Sequence, residues 1–360
     1  MRLGIIMASR MRARSSPHCN LPDARLALAR DWLTRDLGLE VARIEPASSD
    51  ASFRRYLRTF GPRGTLIVMD APPEREDVRP YLKVSALLES LGIHVPRVHE
   101  SDAPRGLVLL EDLGTTPYLA RLRAGGDADA LYGDALDALA DIQARGAEAA
   151  TQLAPYDRAP LLRELALMPE WFCGRHLGIE LSSEERELLA QAFERLMREA
   201  LAQPRVFVHR DYHSRNLMVV ESRNPGVIDF QDALRGPIGY DLVSLLKDCY
   251  IAWPRARVER WVSAHRDRLV ARGFAAAGSE AELLRAFDLI GVQRHIKVLG
   301  IFARLYHRDG KPGYLGDLPL TLRYVLETCA AYPELTELGR FLERRAAPRL
   351  AEANARALHA

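Results

Sequence analysis

An apolar run, Val206-Phe207-Val208, leads into His209-Arg210-Asp211-Tyr212-His213-Ser214-Arg215-Asn216, and a second short run, Gly226-Val227-Ile228, ends on Asp229-Phe230. Two carboxylates and an amide in this order suit phosphoryl transfer. Asp211 would meet the acceptor hydroxyl, while the Asn216 amide oxygen and the Asp229 carboxylate would hold Mg²⁺ against the phosphates of a nucleotide such as ATP. Hard oxygen ligands match a hard divalent cation, which offsets the charge on the transferred group. His-Arg-Asp alone occurs by chance in many chains. The full order H-R-D-x-x-x-x-N, strand, Ile-Asp-Phe is far more demanding.

Three other readings compete. His209 and His213 have the spacing of a metal-binding pair, but such a pair needs a helix and a neighbouring Glu. Here Pro204 and a β-branched, aromatic run precede it, which suggests a strand entering a loop. A plain strand–turn–strand with polar turn residues explains the Asn but not the apolar strand ending in Asp. The third reading is a kinase fold without activity, a nucleotide-binding pseudokinase, and a missing lysine keeps it open.

These residues need a scaffold, and 360 residues with 48% apolar content can supply about two lobes. Residues 23–37 carry a helical stripe of Leu26, Ala29, Leu33 and Leu37. Strands follow at 52–59 and 65–69, joined through Gly61-Pro62-Arg63-Gly64. A helix around Val78, Leu82, Ala86 and Leu87 precedes two more short strands near 95–99 and 106–110. This predicts a small, mainly antiparallel sheet with one inserted helix. Leu110-Glu111-Asp112-Leu113 reads as a hinge, with backbone at Glu111 and Leu113 available to an adenine edge. Beyond it helices dominate, at 128–145, 161–177, 182–202, 241–251, 258–271, 280–305 and 320–329. The third opens on the capping box Ser182-x-x-Glu185. A last, exposed helical stretch at 335–358 is expected to break near Pro348. The expected class is α+β, bilobal: a leader at 1–22 (disordered, or a start placed too early), a β-rich N-lobe at 23–112 and a helical C-lobe at 113–360.

Net charge is only +2, so no bulk electrostatic case exists for nucleic acid or membrane surfaces. No run approaches the ~18 apolar residues of a membrane span, and Leu3–Met7 is shorter than the ~7–15 residues of a signal-peptide core. A soluble, cytoplasmic protein is expected, and nothing in the pattern demands more than a monomer. Cys19, Cys173, Cys249 and Cys329 are scattered with no C-x-x-C pair, which predicts buried thiols in a reducing compartment. Only four lysines occur, Lys83, Lys247, Lys297 and Lys311.

The catalytic segment, with Gly236-Pro237 and Tyr240-Asp241-Leu242 after it, resembles the aminoglycoside-phosphotransferase and choline-kinase-like branch of the protein-kinase fold. Asp50-Ala51-Ser52-Phe53-Arg54-Arg55-Tyr56, Met69-Asp70-Ala71-Pro72-Pro73, Leu110-Glu111-Asp112-Leu113-Gly114 and Gln293-Arg294-His295-Ile296-Lys297-Val298-Leu299-Gly300 resemble bacterial anomeric kinases of N-acetylmuramate and N-acetylglucosamine. The resemblance runs from about residue 23 to the end. It implies a bilobal kinase fold, ATP and Mg²⁺ as cofactors, an amino sugar as acceptor and a place in recycling cell-wall sugars. It makes Asp211 the base at the anomeric hydroxyl and Asn216 and Asp229 the metal ligands. Asp241 would brace the catalytic loop, and His209 would pack beneath it.

One departure stands out. Protein kinases place a lysine on the third strand to hold the α- and β-phosphates, yet residues 66–70 contain none. Arg54, Arg55 or Arg58 on the preceding strand are candidates to supply that charge, since a guanidinium fork suits phosphate oxygens. With no glycine-rich phosphate loop, cradling falls to the 48–52 turn, including Ser52. For the acceptor, Gln231, Asp232, Arg294 and His295 form a mixed-charge set that fits a neutral or anionic amino sugar better than a polycationic antibiotic. Arg294 or His295 would meet the lactyl carboxylate of muramate, and Gln231 and Asp232 the hydroxyls or acetamido group. A polar helix face beside Ile296, Leu299 and Phe302 is the bland alternative for 294–297. An aminoglycoside or other small-molecule kinase on the same lobes is the alternative function.

Overall fold

The computed structural model describes residues 23–49 and 53–359. Asp23 caps helix α1 (Ala24–Asp31) by accepting from the Arg25 and Leu26 N–H groups, and one π-helical turn (Trp32–Asp36) extends it. Five strands follow: β1 (Arg43–Ser49), β2 (Arg55–Gly61), β3 (Gly64–Asp70), β4 (Val98–Asp102) and β5 (Leu107–Glu111). They form one antiparallel sheet in the order β1-β2-β3-β5-β4. The β2–β3 hairpin turns where expected, pairing Gly61 with Gly64, whose φ is +106°. Strand β1 lacks apolar alternation and was not expected. Its Pro46 sits beside a bulge at the sheet edge, where a missing N–H breaks no ladder.

Helix α2 (Arg79–Ser90) lies between β3 and β4 and buries Tyr81, Val84 and Leu88. The other sheet face is covered by α1 and its extension through Ala29, Trp32 and Leu33 against Leu57, Val68, Leu107 and Leu109. Apolar residues on both faces therefore fix the sheet between two helical layers.

The larger lobe holds α3 (Tyr118–Arg123), α4 (Ala128–Arg145), α5 (Ala147–Ala150), α6 (Arg158–Leu165), α7 (Ser183–Ala202), α8 (Gly239–Leu246), α9 (Arg255–Ala271), α10 (Glu280–His307), α11 (Leu318–Ala331), α12 (Thr336–Phe341) and α13 (Ala347–His359). The Ser182/Glu185 capping box starts α7 as expected. The helix expected at 161–177 is instead α6 followed by a π-helical run, Met168–His176. Pro169 removes one ladder donor there. Gly300 also brings α10 so close that a Cβ would lie 2.5 Å from Leu167. The final stretch is not simply exposed: Leu338, Phe341, Leu342, Leu350 and Ala353 are buried. Its irregularity is a π turn at Leu342–Ala346, and Pro348 sits in the first turn of α13, where a missing N–H is tolerated.

Within this helical lobe sit the short strands β6 (Arg205–Val208), β7 (Leu217–Met218), β8 (Gly226–Val227) and β9 (Leu234–Pro237), paired β6–β9 and β7–β8. The fold is α+β, bilobal and protein-kinase-like. Cys173, Cys249 and Cys329 are buried free thiols; Cys19 and the expected leader lie outside the described residues. No described helix is long and apolar enough to cross a membrane.

Candidate active site

Strand β6 ends at Val208, and just past His209 the chain turns sharply, with Arg210 at φ +79°. That strained turn is held from the first turn of α8. Asp241 accepts from the His209 N–H at 2.6 Å and the Arg210 N–H at 2.9 Å. Burial pushes its carboxyl up to about 7, against the pull of those two donors. His209 faces the Ile228 carbonyl through Nε2 at 3.1 Å and the Asp211 N–H through Nδ1 at 3.3 Å. A carbonyl only accepts and an N–H only donates, so the ring is the neutral Nε2–H tautomer. Burial lowers its pKa to about 4 in agreement.

The turn delivers Asp211 to a cavity of about 770 Å³ between the sheet and the helical lobe. Burial raises the Asp211 carboxyl, but Lys297, His213, Arg294 and Arg210 outweigh it and hold the group below its ordinary range. It is therefore a carboxylate at neutral pH. Asn216 donates through Nδ2 to the Asp211 carbonyl at 3.0 Å and to Asp229 Oδ2 at 3.2 Å. Tyr81 of α2 packs its ring 4.8 Å from Phe230, anchoring the residue after Asp229. With the Asn216 NH₂ engaged, its remaining polar atom is Oδ1. An amide oxygen beside a carboxylate is a donor set that fits Mg²⁺.

Beneath Asp211 lies a buried cation cluster. Glu164 Oε1 meets Arg210 Nη2 at 2.5 Å and Lys297 Nζ at 3.2 Å, while its other oxygen accepts from the Tyr156 hydroxyl. Lys297 also donates to the Tyr240 hydroxyl at 2.8 Å. Neither Glu164 nor the part played by Lys297 was expected. A signal existed for Lys297: Arg294, Lys297, Val298 and Ile301 fall at i, i+3, i+4 and i+7 of α10, and all line the cavity.

That spacing corrects the assignment of His295 to the substrate. It points off the stripe, with Nε2 2.9 Å from the Lys247 carbonyl and its ring stacked 5.0 Å from Tyr324. Gln231 likewise turns to Asp229, donating to its Oδ1 at 2.8 Å. Asp232 and Arg294 do line the cavity.

On the sheet side, Ser52 lies outside the described residues. Arg55 does not reach the cavity; it pairs with Asp23 and, at 2.6 Å, with the fully buried Asp70, which Arg25 also binds through Nε at 2.9 Å. Arg58 holds Asp112 at 2.6 Å and the Gly114 carbonyl at 2.8 Å. Of the three candidate arginines, Arg54 is the one that approaches Asp229, with Nη2 3.8 Å from its Oδ1, while Arg58 lines the cavity. Glu111 and Leu113 line the cavity. The Glu111 N–H is taken by the Arg97 carbonyl at 2.9 Å, and the Leu113 N–H has no partner among the described residues. Past Gly114, the Thr116 carbonyl accepts from the Val219 N–H at 2.9 Å.

The order of lobes, the loop and the paired carboxylates agree with a family match over residues 43–286, described as the phosphotransferase enzyme family. The chain belongs to this family. A relative from Pseudomonas aeruginosa named N-acetylmuramate/N-acetylglucosamine kinase is 51% identical over 301 residues, covering 84% of this chain and 88% of the relative. A Pseudomonas putida relative with the same name is 44% identical, covering 89% and 96%. Among solved structures, the choline kinase LicA from Streptococcus pneumoniae superposes with a TM-score of 0.59 at 13% identity, covering 85% of this chain and 99% of that one. That last likeness speaks to the fold alone.

Proposed function

We propose that this phosphotransferase is an ATP- and Mg²⁺-dependent kinase acting on the anomeric hydroxyl of N-acetylmuramate, N-acetylglucosamine or both. Its setting would be the cytoplasmic recycling of cell-wall sugars. The observation that carries the chemistry is the convergence of Asp211, Asn216 and Asp229 on one cavity between the lobes. The relatives' shared name supports the acceptor.

Adenine would lie against Leu110–Leu113, where the Leu113 N–H is the natural donor to a ring nitrogen. Asn216 and Asp229 would hold Mg²⁺, which when bound neutralises charge on the phosphates. Asp211, kept ionised by the cations below it, orients the sugar hydroxyl and takes its proton. An anomeric hydroxyl is more acidic than an ordinary alcohol, so positioning and charge neutralisation carry most of the acceleration. Around the acceptor, Arg294 and Lys297 act on Asp211, and Asp232 also lines the cavity. A polycationic antibiotic would meet Arg294 at like charge, which disfavours the aminoglycoside alternative.

The test is a panel of amino sugars, aminoglycosides and choline, scored by ATP consumption, with ³¹P NMR locating the new phosphate. Sugar 1-phosphates from the two N-acetylated sugars are expected. Turnover confined to aminoglycosides or choline would replace this reading, and ATP binding without any turnover would make the protein a pseudokinase.

A further inference from the structure

One cation lining the cavity is not used by the cluster around Asp211. Arg215, in the catalytic loop just before Asn216, stacks its guanidinium 3.5 Å from the Tyr250 ring centroid and 5.9 Å from that of Tyr314. It makes no hydrogen bond or ion pair among the described residues. Of the acidic groups near it, Asp248 is committed elsewhere. Asp248 accepts from the Ser214 N–H at 3.0 Å, from the Ser214 hydroxyl and from the Tyr250 N–H at 2.9 Å. Asp317 lies in the field of Arg215 but makes no side-chain hydrogen bond or ion pair with it, and burial holds its carboxyl above the ordinary range. Arg210, by contrast, is answered by Glu164, and Arg294 lies buried in the fields of Cys249, Asp211 and Asp248.

A guanidinium stacked on an aromatic face keeps its N–H fork in the ring-parallel plane, ready for a planar carboxylate. The wall beside it is apolar. Phe302 of α10 lies 6.2 Å from Tyr250 and 5.2 Å from Tyr314, with Ile301 and Leu305 on the same helix stripe. A carboxylate on a short, methyl-bearing stem matches a cation and an apolar wall side by side. The lactyl ether of N-acetylmuramate is such a group; N-acetylglucosamine carries only a hydroxyl there.

Building on the amino-sugar reading above, we propose that Arg215 is the receptor for the lactyl carboxylate of N-acetylmuramate, with Tyr250 and Phe302 taking the lactyl methyl. The subsite sets the preference between the acidic and the neutral sugar. Arg294, which sequence reasoning offered for the carboxylate, stays with Asp211.

The measurement is kcat/KM for both sugars in the unmodified protein, Arg215→Gln and Arg215→Lys. In Arg215→Gln the ratio of N-acetylmuramate to N-acetylglucosamine efficiency falls roughly 10–100-fold, the scale of one charge-assisted hydrogen-bond pair. Arg215→Lys restores part of the ratio, because it keeps the charge and loses the fork. The methyl ester of N-acetylmuramate asks the same question without a substitution: the unmodified enzyme discriminates against it by a similar factor, even if the Gln variant does not fold. Equal losses on both sugars, as a purely structural arginine would give, overturn the subsite. So does an unchanged ratio, or an ester as good as the acid. Inactivity of the unmodified protein on both sugars would instead overturn the function on which the subsite rests, and would be recognised by that pattern.

Discussion

Asn216 Nδ2 and Asp229 Oδ2 lie 3.2 Å apart, although thirteen positions separate them in the chain. The β7–β8 ribbon makes the contact. Leu217 pairs with Val227, so the residues just outside the ribbon are set side by side. Turnover should therefore depend on both residues through the divalent ion. Chelation with EDTA should abolish activity and added Mg²⁺ restore it. Asp229→Ala should remove the response, while Asn216→Ala shifts the Mg²⁺ requirement upward. A Mg²⁺ titration of Asp229→Ala that matches the unmodified protein would remove that residue from metal binding.

Asp211→Asn should lower kcat ~10²–10⁴-fold, the usual range for loss of a positioned base, with the fold intact by circular dichroism. Near-normal turnover would exclude Asp211 as the base.

Lys297 is the largest of the influences that hold Asp211 below its ordinary pKa. Removing that charge raises the Asp211 pKa, so the acid limb of the kcat/KM–pH profile should move to higher pH in Lys297→Met. Lys297→Arg should leave the limb nearer its original place. An acid limb that stays put in both would show that Lys297 only fills space.

Arg54 and Arg55 are neighbours in sequence that turn to different carboxylates, Asp229 and Asp70. Arg55→Ala removes one of two arginines from the buried Asp70 and should cost about 1–2 kcal/mol of stability, measured by urea unfolding. Arg54→Ala should instead raise the KM for ATP, as expected for a cation beside Asp229. A reversal of these two phenotypes would exchange their roles.

His209 titrates at about 4 in the folded protein, against about 6.5 when unfolded. The unfolded chain therefore binds more protons between these values, and stability falls as pH drops through that window. At pH 5 His209 alone accounts for roughly 2 kcal/mol. His265 and His295, each lowered to about 3 by burial, act in the same direction, and the three histidines together outweigh Asp241, whose carboxyl, raised to about 7, gains stability over the same fall in pH. Urea midpoints at pH 7.5 and 5.0 should show the drop; equal midpoints would contradict it.

The candidate catalytic residues were legible as a cluster because they crowd into one segment whose order is itself the signal. Asp241 was legible for the same reason, lying shortly after it. Glu164 was not, since it reaches Arg210 across 46 positions and looks in sequence like any polar residue of an amphipathic helix. His295 was misassigned because α10 is buried almost all round, so no polar face betrays which side meets the cavity. Asp70 gave no hint of its two arginines, because one of them, Arg25, comes from a helix on the outer face of the sheet. Strand β1 escaped because an edge strand with Pro46 need not alternate.

The segment between the lobes has an unusual constraint. Arg58 fastens Gly114 to the sheet through its carbonyl, and Val219 fastens Thr116 to the helical lobe through its own. Only Thr115 stands between the two fastenings. Within this segment, widening of the cleft to admit sugar or release product turns on the few backbone torsions around that residue, while the separate link from the Val227 N–H to the His94 carbonyl, at 2.7 Å, must part or move with it. Thr115→Pro would therefore stiffen the gate, at the cost of the Thr115 side chain on the cavity wall.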